Sequence, residues 1–255
     1  MIDKNAIKNN FSRYAPYYDR YSAVQSACAK ELLSMFNAKT FISILDIGCG
    51  TGILTGLLSR KFPKASIKAV DISDGMIDAA VKKFKSGKIK FIREDAENMH
   101  FKQQFDLVAS NAALQWFGDL SGTLSKYKDF LSPGGMIIFS TFGPKTFCEL
   151  SKALRQIDGA GAKISADNFL KKRMLREILK GIFKKIKIEE KIFRERNHSI
   201  EELLNRIKYT GVRGAPHTQK HIWTKGRIRK LEKAYRNISK DMIATYQVFF
   251  CKGIK

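Results

Sequence analysis

The chain has 255 residues, 44% of them hydrophobic, and carries 47 basic against 24 acidic residues, a net charge of +23. This length fits one large α/β domain, and the apolar content argues against global disorder. No apolar run approaches the roughly 20 residues of a membrane span, the polar start lacks a signal core, and the four cysteines form no C-x-x-C pair, so we expect a protein of the reducing cytoplasm without a membrane or a disulfide framework.

Hydrophobic periodicity predicts strands that alternate with helices along most of the chain. The predicted strands are 42–47, 66–71, 88–93, 105–110, 136–141, 183–193 and 245–251. The predicted helices lie within 5–37, 53–61, 75–84, 122–130, 144–180, 199–209 and 224–235. This alternation implies right-handed βαβ crossovers, and therefore an α/β fold with a mainly parallel sheet.

The first predicted strand runs into a glycine-rich turn, D-I-G-C-G-T-G at 46–52. Glycines here allow positive φ and let a ligand press against the main chain. The spacing differs from the G-x-G-x-x-G of dinucleotide sites, and no Gly-Lys-Ser/Thr phosphate loop follows. The carboxylate of Asp46 would repel a pyrophosphate and attract an ammonium group. The turn therefore predicts S-adenosylmethionine as the cofactor, bound at Asp46, Gly48, Gly50 and Gly52.

The second predicted strand ends in another acidic residue, Asp71, 19 residues beyond Gly52. Ligands of doubly wound sheets lie at the carboxyl ends of the strands, where a carboxylate accepts hydrogen bonds from both ribose hydroxyls. Asp71 is therefore the predicted ribose ligand. Ile72 and Met76, which follow it, can line the adenine.

The next two strand ends supply the remaining candidates for the cofactor site. Asp95 can accept from the adenine amino group, and Ala96 can offer a backbone donor. Asn111 can hold the ammonium or carboxylate end of the methionine moiety. Each residue alone could be a helix cap or a solvated loop residue, but four successive strand ends make that explanation weak for the set. The order resembles the motif set of class I S-adenosylmethionine-dependent methyltransferases, over about residues 40–142.

A narrower resemblance rests on segments outside the cofactor motifs. These are S-N-A-A-L-Q-W at 110–116, F-S-T-F-G-P at 139–144 and I-K-Y-T-G-V-R at 207–213. Together they are similar to the malonyl-carrier-protein O-methyltransferases of biotin synthesis, from about residue 8 to 252. The resemblance implies a Rossmann-like class I methyltransferase with a seven-stranded sheet, helices on both faces and a helical lid.

On this basis we expect a single methyltransferase domain over residues 1–255. Its expected parts are N-terminal helices at 1–37, a cofactor core at 40–142, lid or acceptor-side elements at 143–182 and 199–240, and final strands at 183–196 and 245–252.

The resemblance also implies a reaction. The methyl group of S-adenosylmethionine would pass to the free carboxylate of a malonyl thioester on an acidic acyl carrier protein, leaving S-adenosylhomocysteine. A carboxylate is already deprotonated at neutral pH, so we assign no general base. Arg213 is the candidate that would fix the carboxylate through two hydrogen bonds, although a solvent-facing arginine is equally open. Tyr18, Gln115 and Trp116 are candidates for the acceptor pocket, with plain core packing as the alternative.

The positive charge is concentrated in the last third of the chain. Residues 171–255 hold 24 basic and 8 acidic side chains. Such a surface would steer an acidic carrier protein, or it is only a lysine-rich solvated surface. An RNA methyltransferase would use the same charge for phosphates, but the N-A-A-L at 111–114 differs from the Asn/Asp-Pro-Pro-Tyr/Phe segment typical of base N-methylation. We therefore do not expect nucleic acid as a partner.

Three further alternatives are weighed against this prediction. A methyltransferase for small free dicarboxylates would share the chemistry but would not need the basic surface. A binding protein with a methyltransferase fold is disfavoured by the intact glycine motif. His217 and His221 are spaced four apart, but Pro216 precedes them and no cysteine or acid lies nearby, so we expect no metal.

We expect a monomer.

Overall fold

The computed structural model describes residues 3–36, 40–84, 87–211 and 223–255. Its strands are β1 (Ser43–Ile47), β2 (Ser66–Asp71), β3 (Ile89–Arg93), β4 (Phe105–Asn111), β5 (Leu131–Phe142), β6 (Lys185–Arg196) and β7 (Ile243–Ile254). They form one sheet in the order β3-β2-β1-β4-β5-β7-β6. The first five strands pair in parallel, and β7 runs antiparallel to both β5 and β6. The predicted mainly parallel, seven-stranded sheet is confirmed.

Helices cover both faces of this sheet. They are α1 (Lys4–Tyr21), α2 (Ala23–Ser34), α3 (Ile53–Lys61), α4 (Asp74–Lys83), α5 (Leu120–Phe130), α6 (Cys148–Asp158), α7 (Lys172–Ile182), α8 (Ile200–Tyr209) and α9 (Lys225–Ile238). In β1, Ile44 and Leu45 are both fully buried, yet they belong to separate hydrophobic clusters on opposite faces. A parallel strand buried on both faces has this continuous apolar pattern. None of the helices described is long and apolar enough to cross a membrane.

Three of the differences from the predicted elements have clear physical causes. The strand predicted at 136–141 begins at Leu131, because Leu131 pairs with Phe105 before a register shift. The single helical region predicted at 144–180 is two helices, since α6 ends at Gly159, whose φ of +90° breaks the helix. Strand β6 runs to Arg196 because it pairs with β7 along its whole length.

Helix α1 lies across the carboxyl ends of the parallel strands. Its Ser12 hydroxyl is 2.9 Å from that of Ser73, the N-cap of α4. A Cβ on Gly75 would lie 2.5 Å from the carbonyl oxygen of Ser12, so only glycine permits this close approach of the two backbones. Asp19, near the end of α1, accepts a hydrogen bond from Thr51 of the glycine-rich turn. The first helix of the chain is thereby fastened over the edge where the sequence places its ligand.

Candidate active site

The three glycines of the turn after β1 serve different purposes. All three have positive φ, from +55° to +84°. A Cβ on Gly48 would lie 2.3 Å from Cβ of Ala113, and one on Gly52 would lie 2.5 Å from the ring of Phe84. Gly48 and Gly52 therefore allow packing, whereas a Cβ on Gly50 meets nothing within 4 Å. The main chain at Gly50 is the part that a ligand can approach.

Asp71 ends β2 and holds this turn. Its Oδ2 accepts from the backbone N–H of Gly50 and its Oδ1 from that of Ser73, both at 2.8 Å. Burial raises the pKa of Asp71, and these backbone hydrogen bonds offset part of the rise. A carboxylate oxygen accepts more than one hydrogen bond, so both oxygens retain acceptor capacity toward the cavity beside them.

Asp46 is fully buried behind the glycine-rich turn rather than on the cavity wall. Its Oδ2 accepts from the Thr55 hydroxyl of α3 at 2.5 Å, and its Oδ1 has no partner in the described part of the chain. Burial raises the pKa of Asp46 to about 7, although the Thr55 hydrogen bond opposes the rise. The predicted direct contact of Asp46 with a ligand ammonium is therefore not what the geometry offers, because the alternation of β1 turns this side chain toward α3.

One cavity gathers most of the predicted site residues. It has an empty volume of about 720 Å³, part of it open to solvent. The predicted residues on its wall are Tyr18, Gly48, Gly50, Asp71, Ile72, Met76, Asp95, Ala96, Asn111 and Trp116. Those not on its wall are Asp46, Gly52 and Gln115. Arg213, His217 and His221 lie outside the described residues.

The side-chain amide of Gln115 forms hydrogen bonds to other residues of the protein. Its Nε2 donates to the carbonyl of Ala112 at 2.6 Å, and its Oε1 accepts from the Thr141 hydroxyl at 3.2 Å. Ala112 has φ of +52°, a strained value for a residue with a side chain. The amide of Gln115 therefore supports the turn after β4, and its acceptor contact stays a prediction for a residue that does not line the cavity.

Asn111 lies on the cavity wall with part of its amide already engaged. Its Oδ1 accepts from the Ser140 hydroxyl at 2.7 Å, and its Nδ2 donates to the Gln25 carbonyl at 3.0 Å. An amide has two donors and two lone pairs, so one of each remains for a ligand.

Several wall residues are absent from the sequence-based prediction. They are Lys4, Ile7, Phe11, Glu97, Ala112, Ala113 and Phe117. Lys4, Ile7, Phe11 and Tyr18 are spaced as one face of α1, so helical periodicity could have grouped them. The surface that this face covers depends on the tertiary fold.

Lys4 and Glu97 connect α1 to the loops that follow β3 and Phe117 on the cavity wall. Lys4 Nζ is 2.5 Å from Asp95 Oδ2 and 2.8 Å from Glu97 Oε2. Glu97 also accepts from the backbone N–H groups of Gly118 (3.0 Å) and Asp119 (2.9 Å). Burial raises the pKa of Glu97, but Lys4 and these N–H groups bring it below its ordinary value. Glu97 therefore stays ionised and fixes the loop that follows Phe117.

Two aromatic side chains complete the wall. The ring of Tyr18 meets that of Phe11 edge-on, with centroids 6.4 Å apart. Burial and the nearby carboxylates of Asp71 and Asp19 raise the pKa of Tyr18, so its hydroxyl stays protonated and can donate. Trp116 meets Phe169 edge-on at 5.6 Å, which leaves it packed on one side and facing the cavity on the other.

The wall suits an adenosine-bearing cation better than a phosphate ligand. It combines the open main chain of Gly50, the carboxylates of Asp71 and Asp95, and the apolar side chains of Ile72 and Met76. Carboxylates accept hydroxyl and amino protons, whereas they repel phosphates. Within the described ranges, no group of three His, Cys, Asp or Glu side chains could hold a metal ion.

Comparisons with known proteins agree with this geometry. Residues 44–135 match a family described as a methyltransferase domain. The chain is 36% identical to malonyl-[acyl-carrier protein] O-methyltransferase 2 of Ilyobacter polytropus over 238 residues, 92% of this chain and 91% of that protein. It is 46% identical to malonyl-[acyl-carrier protein] O-methyltransferase of Priestia megaterium over 153 residues, which is 59% of this chain and 56% of that protein.

A solved structure supports the fold. The phosphoethanolamine N-methyltransferase 2 of Haemonchus contortus, in complex with phosphomonomethylethanolamine and S-adenosylhomocysteine, superposes with a TM-score of 0.57 at 22% identity. That alignment covers 89% of this chain and 52% of the other. The predicted Rossmann-like fold is thus confirmed. The match along nearly the whole length of the Ilyobacter protein, with the methyltransferase domain at 44–135, shows that the chain belongs to the malonyl-[acyl-carrier protein] O-methyltransferase family of S-adenosylmethionine-dependent enzymes, which confirms the predicted cofactor.

Proposed function

We propose that this protein transfers a methyl group from S-adenosylmethionine to the free carboxylate of a malonyl thioester on an acyl carrier protein. The observation that carries the proposal is the single cavity that joins the adenosine-type wall at Asp71 and Asp95 to an aromatic wall at Tyr18 and Trp116. The methyl ester would mask a negative charge, as an early step of biotin precursor synthesis requires.

The cofactor side of the cavity is assigned from the wall residues. Asp71 would accept from the ribose hydroxyls, and Ile72 and Met76 would pack on the adenine. Asp95 and the backbone of Ala96 would meet the edge of the adenine. S-adenosylmethionine supplies an electrophilic methyl group on a sulfonium, and Asn111, on the same wall, would orient its amino-acid end with the free half of its amide.

Methyl transfer to a carboxylate requires that the acceptor be positioned and that water be excluded, and it requires no general base. A carboxylate is ionised at neutral pH, so no proton has to be removed from it. The apolar side chains of Phe11, Trp116 and Phe117 exclude water from the attacking oxygen. The protonated hydroxyl of Tyr18 can donate to an acceptor carboxylate and hold it in line. Arg213 keeps its predicted role as the guanidinium that would clamp the acceptor carboxylate.

The family membership favours a carrier-bound acceptor over the two other enzyme classes. The relatives compared are named for an acyl carrier protein, not for RNA or a free dicarboxylate. The +23 charge suits a carrier protein, which is acidic.

A competition between acceptors tests the proposal. Purified protein would be given S-adenosylmethionine with a labelled methyl group and one of three acceptors: malonyl carrier protein, free malonate or total RNA. We expect label on the carrier, released by mild base as an ester should be. Label on RNA or on free malonate, with none on the carrier, would overturn the proposal.

A further inference from the structure

A cluster of tyrosines and cations joins α1 to α8 beside the cavity. It consists of Tyr14, Tyr17, Tyr21, Tyr209, Arg13, Arg20 and Lys208, here called the aromatic-cationic patch. The ring of Tyr209 lies 5.5 Å from that of Tyr14, 5.2 Å from that of Tyr17 and 4.7 Å from that of Tyr21, the last in a stacked arrangement. One tyrosine of α8 therefore binds three from α1.

The cations of the patch face rings rather than acids. The guanidinium carbons of Arg13 and Arg20 lie 5.7 Å from the ring centroids of their neighbours Tyr14 and Tyr21. Lys208 Nζ lies 5.6 Å from the ring of Tyr14 and 5.1 Å from that of Tyr209. In the described part of the chain, none of these three cations forms an ion pair with a carboxylate. Cation–π contacts hold the side chains in place while leaving their charge uncompensated.

The composition of the patch is that of a binding surface. Arg13 and Arg20 are exposed, and Tyr17, 53% exposed, is the one aromatic among the large exposed hydrophobic side chains of the described residues. Tyrosine and arginine are enriched among the residues that dominate binding energy at protein interfaces. The nearest acid along α1, Asp19, is held by Thr51 and Lys83. The surface thus offers aromatic area and positive charge together.

The patch also adjoins the cavity through helix α1, which contributes residues to both. Phe11 and Tyr18, on the same helix, line the cavity. Gly211, just after α8, lies so close to Phe11 that a Cβ there would sit 2.2 Å from its ring. A partner docked on the patch would therefore stand beside the helix that forms one wall of the cavity.

We propose that the aromatic-cationic patch is the docking surface for the acidic carrier protein. The assignment rests on the proposed function and adds where the partner binds. Negative charges on the carrier would meet Arg13, Arg20 and Lys208, and an apolar side chain of the carrier would rest on Tyr17. This specific site differs from diffuse steering by the charge of residues 171–255, because two of its three cations, Arg13 and Arg20, come from α1 and only Lys208 belongs to that segment.

Two variants that each lose three positive charges distinguish docking at the patch from diffuse electrostatic steering. The patch variant is Arg13→Gln, Arg20→Gln and Lys208→Gln. The control is Arg173→Gln, Arg176→Gln and Lys180→Gln on α7, three exposed cations on a helix that packs against α5 and β6. Both variants lose three positive charges, so any difference between them comes from position.

Steady-state kinetics would be measured with malonyl carrier protein and with malonyl-pantetheine, which lacks the protein part. We expect the patch variant to raise KM for the carrier about tenfold, to leave kinetics with malonyl-pantetheine and the cofactor Kd within about twofold, and to show a weaker salt dependence of KM. The control should change KM for the carrier by less than about threefold. Arg13→Gln with Arg20→Gln alone, which leaves α8 intact, should show part of the same rise.

Equal losses in both triple variants would mean diffuse steering and would overturn the proposal, as would an unchanged KM in the patch variant. An equal loss with malonyl-pantetheine would also overturn it, because the patch would then act on the cavity rather than on the carrier. A wild-type protein that methylates malonyl-pantetheine but never the carrier would instead refute the carrier as substrate, and this outcome is read before any variant is compared.

Discussion

The ammonium of Lys4 lies 2.5 Å from the carboxylate of Asp95, 91 residues away in the chain. This ion pair fastens the first turn of α1 to the loop after β3 at the wall of the cavity. Burial lowers the pKa of Lys4, but hydrogen bonds to Asp95 and Glu97 raise it above its ordinary value of 10.5. The charge that holds α1 in place is therefore present throughout the physiological pH range.

Lys4→Gln should weaken cofactor binding. The substitution removes the cation that orients Asp95 and Glu97 and loosens the helix over the cavity. We expect the Kd for S-adenosylmethionine to rise about three- to tenfold, since a partly exposed ion pair contributes modestly. Titration calorimetry would measure it. The matched control is Lys8→Gln, which removes a similar α1 ion pair to Asp74, off the cavity wall, and should leave the Kd within about twofold.

Gly50→Ala should lower cofactor affinity beyond its cost in stability. Placing a side chain at φ of +55° costs about 1–2 kcal/mol of backbone strain. Gly134→Ala imposes similar strain at φ of +70°, and a Cβ there also meets nothing within 4 Å. Both variants should lose similar stability in urea unfolding, but only Gly50→Ala should raise the cofactor Kd, by tenfold or more. Equal Kd values for both would show that no ligand lies against Gly50.

Asp46→Asn should stabilise the protein at alkaline pH. The pKa of Asp46 is about 7 in the folded protein against 3.8 as its ordinary value. Between these two values the folded state holds a proton that the unfolded state has released, so this group's contribution to stability falls as pH rises from about 4 to 7. The loss is on the order of a few kcal/mol. Asparagine is neutral at all pH and can still accept from Thr55.

Urea unfolding of both proteins at pH 5, 6, 7 and 8 would check this. The difference in free energy of unfolding should favour the variant more at pH 7 and pH 8 than at pH 5, where only part of the loss has occurred. A variant that is less stable by the same amount at every pH would contradict the account, because the charge on Asp46 would then carry no penalty.

Tyr18→Phe should impair the acceptor more than the cofactor. The change removes a protonated hydroxyl and keeps the ring against Phe11. We expect kcat/KM for malonyl carrier protein to fall about tenfold to a hundredfold, the value of one hydrogen bond to a charged group, with the cofactor Kd within about twofold. If the two constants change in parallel, Tyr18 belongs to the cofactor site instead.

Local patterns brought most of the cofactor candidates to one cavity. The strand ends at Asp71 and Asn111 fall where the periodicity put them, because an apolar run followed by a turn is a short-range signal. In a parallel sheet the carboxyl ends of the strands lie at one edge, so these residues come together independently of how the helices pack. For this reason eight of the ten cofactor candidates line the cavity, although their roles remain predictions.

The misses arise from side-chain direction and long-range packing. The prediction put Asp46 at the ligand because it lies just before the glycines in sequence. Its side chain lies on the same face of β1 as that of Ile44 and accepts a hydrogen bond from Thr55. Lys4 and Glu97 were overlooked because no local sequence pattern indicates an ion pair between residues more than ninety positions apart. Tertiary contacts determine which side chains meet in this way, and these contacts cannot be read from the local sequence.

The most direct test of the central claim is the intact mass of malonyl carrier protein after incubation with the enzyme and S-adenosylmethionine. We expect the carrier to gain the mass of one methyl group in place of one proton, on the malonyl unit, and mild base to remove it. A carrier of unchanged mass, or a gain retained on the carrier after the malonyl unit is cleaved off, would contradict it.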